Sequence, residues 1–130
     1  MSFEDTNVVG NVYFANHVRW QGRCREMFLR DHAPEVLDEI GRDLRLMTLR
    51  CTCEYLQELV AFESVIVRMR LNSLVQNRLH LGFEYLRVRG GAEELVARGE
   101  QEIACMRQTP RGPVPTPVPA ALREALRAYQ

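Results

Sequence analysis

The chain has 130 residues, 46% of them hydrophobic and 26% charged, which gives room for one ordinary hydrophobic core and not for two. Seventeen basic residues balance seventeen acidic ones, so no overall field draws the protein to nucleic acid or to an anionic membrane. No segment approaches the roughly 20 apolar residues that span a bilayer, and Met1-Ser2-Phe3-Glu4-Asp5 lacks the basic and apolar regions of a signal sequence, so no membrane partner and a cytoplasmic location are expected.

In chain order, a short first strand near Phe3 is expected to precede a helix from Phe14 to Asp31. There Trp20, Cys24, Met27 and Phe28 recur at helical spacing, while Arg19, Arg23, Glu26 and Arg30 fall mostly elsewhere. His32-Ala33-Pro34 interrupts the pattern, and Pro34 to Ile40 fits a short second helix, with Pro in its first turn and Gly41 after its last. The period then changes to two. Met47, Leu49, Cys51, Cys53 and Tyr55 alternate with Thr48, Arg50, Thr52 and Glu54, as in a strand with one covered face. Further strands are predicted at Val65 to Leu71 and Leu79 to Tyr85. After a turn at Gly90-Gly91, another follows in which Leu95, Ala97, Ile103 and Cys105 share one parity.

One helix ahead of a run of antiparallel strands has an economical packing, in which the sheet curls round the helix and buries its stripe. The prediction is an α+β fold: a single domain over residues 1–109, with about five strands wrapped around one long helix. Beyond Thr109, five prolines between Pro110 and Pro119 predict an extended strap without regular pairing, and Ala120 to Tyr129 a short amphipathic helix through Leu122, Leu126 and Tyr129. The scattered cysteines Cys24, Cys51, Cys53 and Cys105 read as reduced thiols, since Cys51 and Cys53 point the same way along one strand and no second ligand pair completes a metal site. The three histidines have no metal-ligand spacing, and no serine-hydrolase elbow, phosphate loop or dinucleotide fingerprint is present.

The segment from Phe3 to His17, FEDTNVVGNVYFANH, resembles the signature of the 4-hydroxybenzoyl-CoA thioesterase class of hotdog enzymes. Its continuation from Val18 to Leu29, VRWQGRCREMFL, together with Thr6-Asn7, resembles the thioesterases of enediyne polyketide biosynthesis. The resemblance covers about residues 3–108 and implies the hotdog fold. Relatives usually carry more of the first strand upstream of Phe3, so a truncated or misassigned start is expected.

For the site, the resemblance implies three residues. Many relatives carry Asp where this chain has Asn7; an amide can orient water or hydrogen-bond a substrate but cannot take up a proton. From the residues alone, Asn7 reads equally as a turn former beside Gly10. Arg25 resembles the catalytic arginine of the enediyne group and lies about 140° around the helix from Trp20, where its planar fork could hold a water, a β-keto carboxylate or an oxyanion; spacing alone fits a solvated surface arginine as well. His17 stands where relatives often have Tyr and could serve as a base or line the acyl pocket. Glu26, Glu4 and Asp5 are weaker candidates. Gly10, Trp20, Met27, Phe28, Met69 and Phe83 are the expected substrate-binding residues, lining an apolar tunnel beside the long helix, although each large side chain among them also fits plain core.

The implied activity is hydrolysis of a polyene acyl thioester, β-keto at its carboxyl end, from the acyl carrier protein of an iterative polyketide synthase. Loss of carbon dioxide to a methyl ketone would follow. No cofactor is called for, and a homotetramer built from dimers is expected. The alternatives are a non-catalytic acyl-binding subunit, suggested by the missing carboxylate, an acyl-CoA thioesterase of primary metabolism, and a hotdog dehydratase, for which no paired His and acid can be assembled.

Overall fold

The computed structural model describes residues 14–60 and 62–130. Helix α1 (Ala15–His32) ends where Pro34 pushes the preceding Ala33 out of helical conformation, and the Ala33 N–H still closes the last turn on the Leu29 carbonyl. Pro34 then opens α2 (Pro34–Ile40), where its missing N–H costs no helical hydrogen bond.

Four long antiparallel strands follow: β1 (Leu44–Tyr55), β2 (Ser64–Val75), β3 (Arg78–Arg89) and β4 (Ala92–Thr109), in the spatial order β1-β4-β3-β2. The β3–β4 hairpin closes through Gly90 and Gly91, at φ 53° and 81°, a left-handed pair that glycine favours because it has no Cβ. A bulge between Tyr85 and Leu86 resets the facing of β4. From there on Ala97, Gly99, Gln101, Ile103 and Cys105 share the covered face.

The inner face of the sheet, with Leu44, Met69, Leu71, Leu79, Leu81, Phe83, Tyr85 and Ile103, forms one core with Phe28 and Leu29 of α1 and Val36 of α2. The outer face carries ion pairs such as Arg98–Glu54 at 3.0 Å and Arg78–Glu102 at 2.8 Å; exposed pairs of this kind are worth at most about 1 kcal/mol each and chiefly keep that face wet.

Two expectations change. The buried stripe of α1 runs through His17, Gln21, Phe28 and Leu29, so its centre is Gln21 and not Trp20. Met27, about 120° from that centre, is 48% exposed. The proline segment also pairs: β5 (Gly112–Pro115) lies antiparallel to the end of β4, with Val114 opposite Arg107 and Gly112 opposite Thr109. Alternation explains this. The prolines at 113 and 115 fall on one parity, leaving the residues between them to supply the N–H groups an edge strand requires. The fifth strand of the described sheet is therefore β5, and the expected strand near Phe3 lies outside the described residues. Beyond the strap, α3 (Ala120–Leu126) buries Leu122 and Leu126, and the Tyr129 ring meets Phe28 edge-on at 4.9 Å.

Candidate active site

With the stripe centred on Gln21, Arg25 lies only about 40° around the helix from it, one turn on, and so faces the sheet. Its guanidinium donates to Gln101 Oε1 at 2.9 Å and to Thr48 Oγ1 at 3.2 Å. The Gln101 amide donates in turn to Gln21 Oε1 at 3.2 Å, and Gln21 donates to the Thr52 carbonyl at 2.9 Å. The Cys51 thiol adds a contact to Gln21 Oε1 at 3.1 Å. Gln21 is fully buried and Gln101 nearly so, and both are satisfied, as buried amides must be. Gly99 makes the space: a Cβ there would stand 2.1 Å from Gln21 Nε2 and 2.4 Å from the Thr52 carbonyl oxygen.

Arg25 forms no ion pair among the described residues; its partners here are neutral. Burial lowers its pKa, with Glu26 and Cys51 pulling the other way, and a guanidinium so placed is still a cation at neutral pH. It lines a groove of about 680 Å³ between α1, α2, the start of β1, the end of β4 and β5, whose apolar wall is Leu29, Leu37, Ile40, Leu46, Met47 and Pro113 and whose polar lining also includes Glu26, Arg30, Arg45 and Gln108. A cation at the rim of an apolar groove of ligand size suits a molecule with a greasy tail and a carbonyl or carboxylate head.

Nearer the start of α1, His17 is 3% exposed and packed among Trp20, Tyr55 and Tyr85, with ring centroids 5.2, 4.8 and 5.3 Å away. Neither ring nitrogen has a hydrogen-bond partner among the described residues. Burial lowers its pKa against a weaker upward pull from the Phe14 carbonyl, so at neutral pH the ring is uncharged.

The profile of the thioesterase-like superfamily matches residues 1–126. The chain is 46% identical to the dynemicin thioesterase whose crystal structures reveal induced-fit and allosteric effects upon polyene binding, with a TM-score of 0.95, covering 99% of this chain and 92% of that one. The chain belongs to the thioesterase-like superfamily. Its hotdog fold is shared with a gentisyl-coenzyme A thioesterase (19% identity, TM-score 0.80, 97% and 94% covered). A 4-hydroxybenzoyl-CoA thioesterase, solved with 4-hydroxybenzoyl-CoA bound, shares it too (16% identity, TM-score 0.81, 97% and 93% covered). No curated protein sequence matches. The protein is a thioesterase, and the resemblance to the enediyne enzymes stands.

Within this thioesterase, Asn7 and Gly10 lie outside the described residues. His17 and Arg25, both directed at the sheet, are eight residues apart, about 12 Å along the helix. Phe28, Met69 and Phe83 are core. Phe28 and Met69, with Met27, border a second groove of about 350 Å³ under Tyr129, which does not include Arg25. Trp20 packs against His17. Inspection of the sequence missed Gln21, Gln101, Gly99 and Thr48. The first three carried a signal: an amide on the apolar stripe, and a glycine and an amide on the covered parity of β4.

Proposed function

We propose that this thioesterase hydrolyses a polyene acyl thioester carried on the phosphopantetheine arm of an acyl carrier protein, and that Arg25 stabilises the charge that develops on the thioester carbonyl oxygen. The observation that supports this is the Arg25 guanidinium, hydrogen-bonded only to neutral groups among the described residues, on the wall of a largely apolar groove. Water adds to the carbonyl carbon, whose oxygen becomes an anion facing the guanidinium; as the carbonyl re-forms the C–S bond breaks, and a proton of the attacking water ends on the departing sulfur, giving a free acid and a thiol. In this reading Asn7 orients the water and carbonyl, while His17, buried and about 12 Å along α1 from Arg25, takes no part at the reacting carbon. Where the acyl chain is β-keto, the released acid loses carbon dioxide to a methyl ketone. The likeness to a polyene-binding thioesterase supports the substrate class.

The test is turnover of N-acetylcysteamine thioesters, saturated, polyene and 3-oxo, followed by thiol release and mass spectrometry of the products. Preference for the polyene 3-oxo substrate and loss of activity in Arg25→Ala are expected. Equal activity of Arg25→Ala and wild type removes Arg25 from the reaction.

The enzyme works, on this reading, in the cytoplasm; among the described residues no helix is long and apolar enough to cross a membrane. A second copy is proposed to cover β1, which ends the described sheet and exposes Met47 and Leu49 at 42% and 46%. Multi-angle light scattering is expected to give a tetramer of paired dimers, and a monomer at micromolar concentration would refute it.

A further inference from the structure

The chain of bonds beneath Arg25 has a direction that its ends impose. Arginine only donates, and the Thr52 carbonyl only accepts. Each of the two amides between them has one donating and one accepting end, so a single arrangement satisfies all three bonds: Arg25 to Gln101, Gln101 to Gln21, Gln21 to Thr52. The amide dipoles therefore run head to tail away from the guanidinium, in surroundings where such bonds reinforce one another. A carboxylate at 101 would hold Arg25 more strongly, yet would cancel the charge an oxyanion needs. It would also have no N–H for Gln21.

We infer that Gln101 and Gln21 are positioning residues of this enzyme: a neutral relay, housed in the space over Gly99, that fixes the Arg25 fork towards the groove while leaving its charge free for the substrate. The inference rests on the reading of Arg25 as the group that meets the thioester oxygen. It extends that reading to residues that touch no substrate and act through another side chain. The relay accounts for the buried amides of Gln21 and Gln101, and for a glycine in the middle of a long strand, where glycine ordinarily weakens pairing.

The test uses the full chain and the decanoyl N-acetylcysteamine thioester. Gln101→Glu, nearly isosteric, and Gln101→Leu are each made alone and together with Arg25→Ala, with circular dichroism and thermal midpoint as checks on folding. A hydrogen bond to a charged group is typically worth about 10-fold to 10²-fold, so each single variant is expected to lose roughly that much kcat, with KM changed about 2-fold at most. In the Arg25→Ala background neither should reduce kcat further, since the two sites act as one unit. A residue that merely supported the fold would instead give losses that multiply. Folded Gln101→Glu or Gln101→Leu at the wild-type rate, or losses that multiply with that of Arg25→Ala, overturn the relay and leave the role of Arg25 intact. Arg25→Ala at the wild-type rate overturns both.

Discussion

Arg25 and Arg87 are both arginines withdrawn from water in the same small protein, and their surroundings differ in kind. Arg87, on β3 beneath the connection between β1 and β2, meets Glu94 at 2.8 Å and Glu63 at 3.5 Å, and donates to Gln57 Oε1 and the Glu58 carbonyl. The Glu94 hydrogen bond raises its pKa. Arg25 has an amide and a hydroxyl, and its pKa is lowered by burial. A cation whose charge is cancelled by carboxylates is committed to the fold. A cation held by neutral groups keeps its charge for a ligand, at a cost in stability that the fold bears elsewhere.

Removing each arginine should separate the two roles. Arg25→Leu is expected to lower kcat by about 10² or more, the effect of losing one oxyanion donor, while the thermal midpoint falls less than in Arg87→Leu, because the hydrogen-bond partners it leaves among the described residues are neutral. Arg87→Leu should leave kcat near wild type and lower the midpoint, because Glu63 and Glu94 lose their cation. Steady-state rates and calorimetry on both variants decide it; a fall in midpoint for Arg25→Leu as large as that for Arg87→Leu would erase the distinction.

The next effect concerns the space that lets Arg25 be held this way. Gly99→Ala places a Cβ against the Thr52 carbonyl, which is backbone and cannot swing aside, and against the Gln21 amide, which is fully buried. Overpacking of this kind typically costs 1–3 kcal/mol, and we expect roughly the upper end. Urea unfolding reads it. A Gly99→Ala protein as stable as wild type would mean that Gln21 does not need its present seat.

Much of this was legible in the sequence. Helical spacing gave α1, Pro34 its end, and alternation the four long strands, because period and breakers are local properties. The resemblance supplied Arg25, though spacing alone put it on the wrong side: taking Trp20 as the centre of the stripe turned the helix by one residue. The cause is physical. Gln21 is the true centre, and a scan for apolar residues passes over a buried amide. The same preference for apolar side chains hid Gln101 and Gly99, which stand on the covered parity of β4 between Ala97 and Ile103. Pairing of the Pro-rich segment was illegible for another reason, since it depends on which parity faces β4, a tertiary fact. The groove at Arg25 is built from α1, α2, β1 and β5 and has no signature in any one of them.

His17 is a third buried ionisable group, and it solves the problem neither as Arg87 does nor as Arg25 does: it stays uncharged. Its folded pKa lies below the ordinary 6.5, burial being the main cause. The unfolded chain therefore binds a proton at a higher pH than the folded one. Between 6.5 and the folded value the unfolded state holds more protons, so stability rises with pH across that window and is lost as pH falls through it. Above the window the contribution is complete; below it both states are protonated and nothing more is lost. Glu94, lowered by its hydrogen bond to Arg87, also loses stability on acidification, but in the carboxylate range, at lower pH than the upper part of this window. The measurement is the thermal midpoint from about pH 8 to about pH 5, for wild type and for His17→Tyr, a larger ring that does not titrate there, so that the slopes and not the absolute midpoints are compared. The wild-type curve should bend downward as the pH drops below 6.5, and the His17→Tyr curve should stay flatter over that stretch. Identical slopes would mean that His17 keeps its ordinary pKa in the fold, and that burial does not hold the ring neutral.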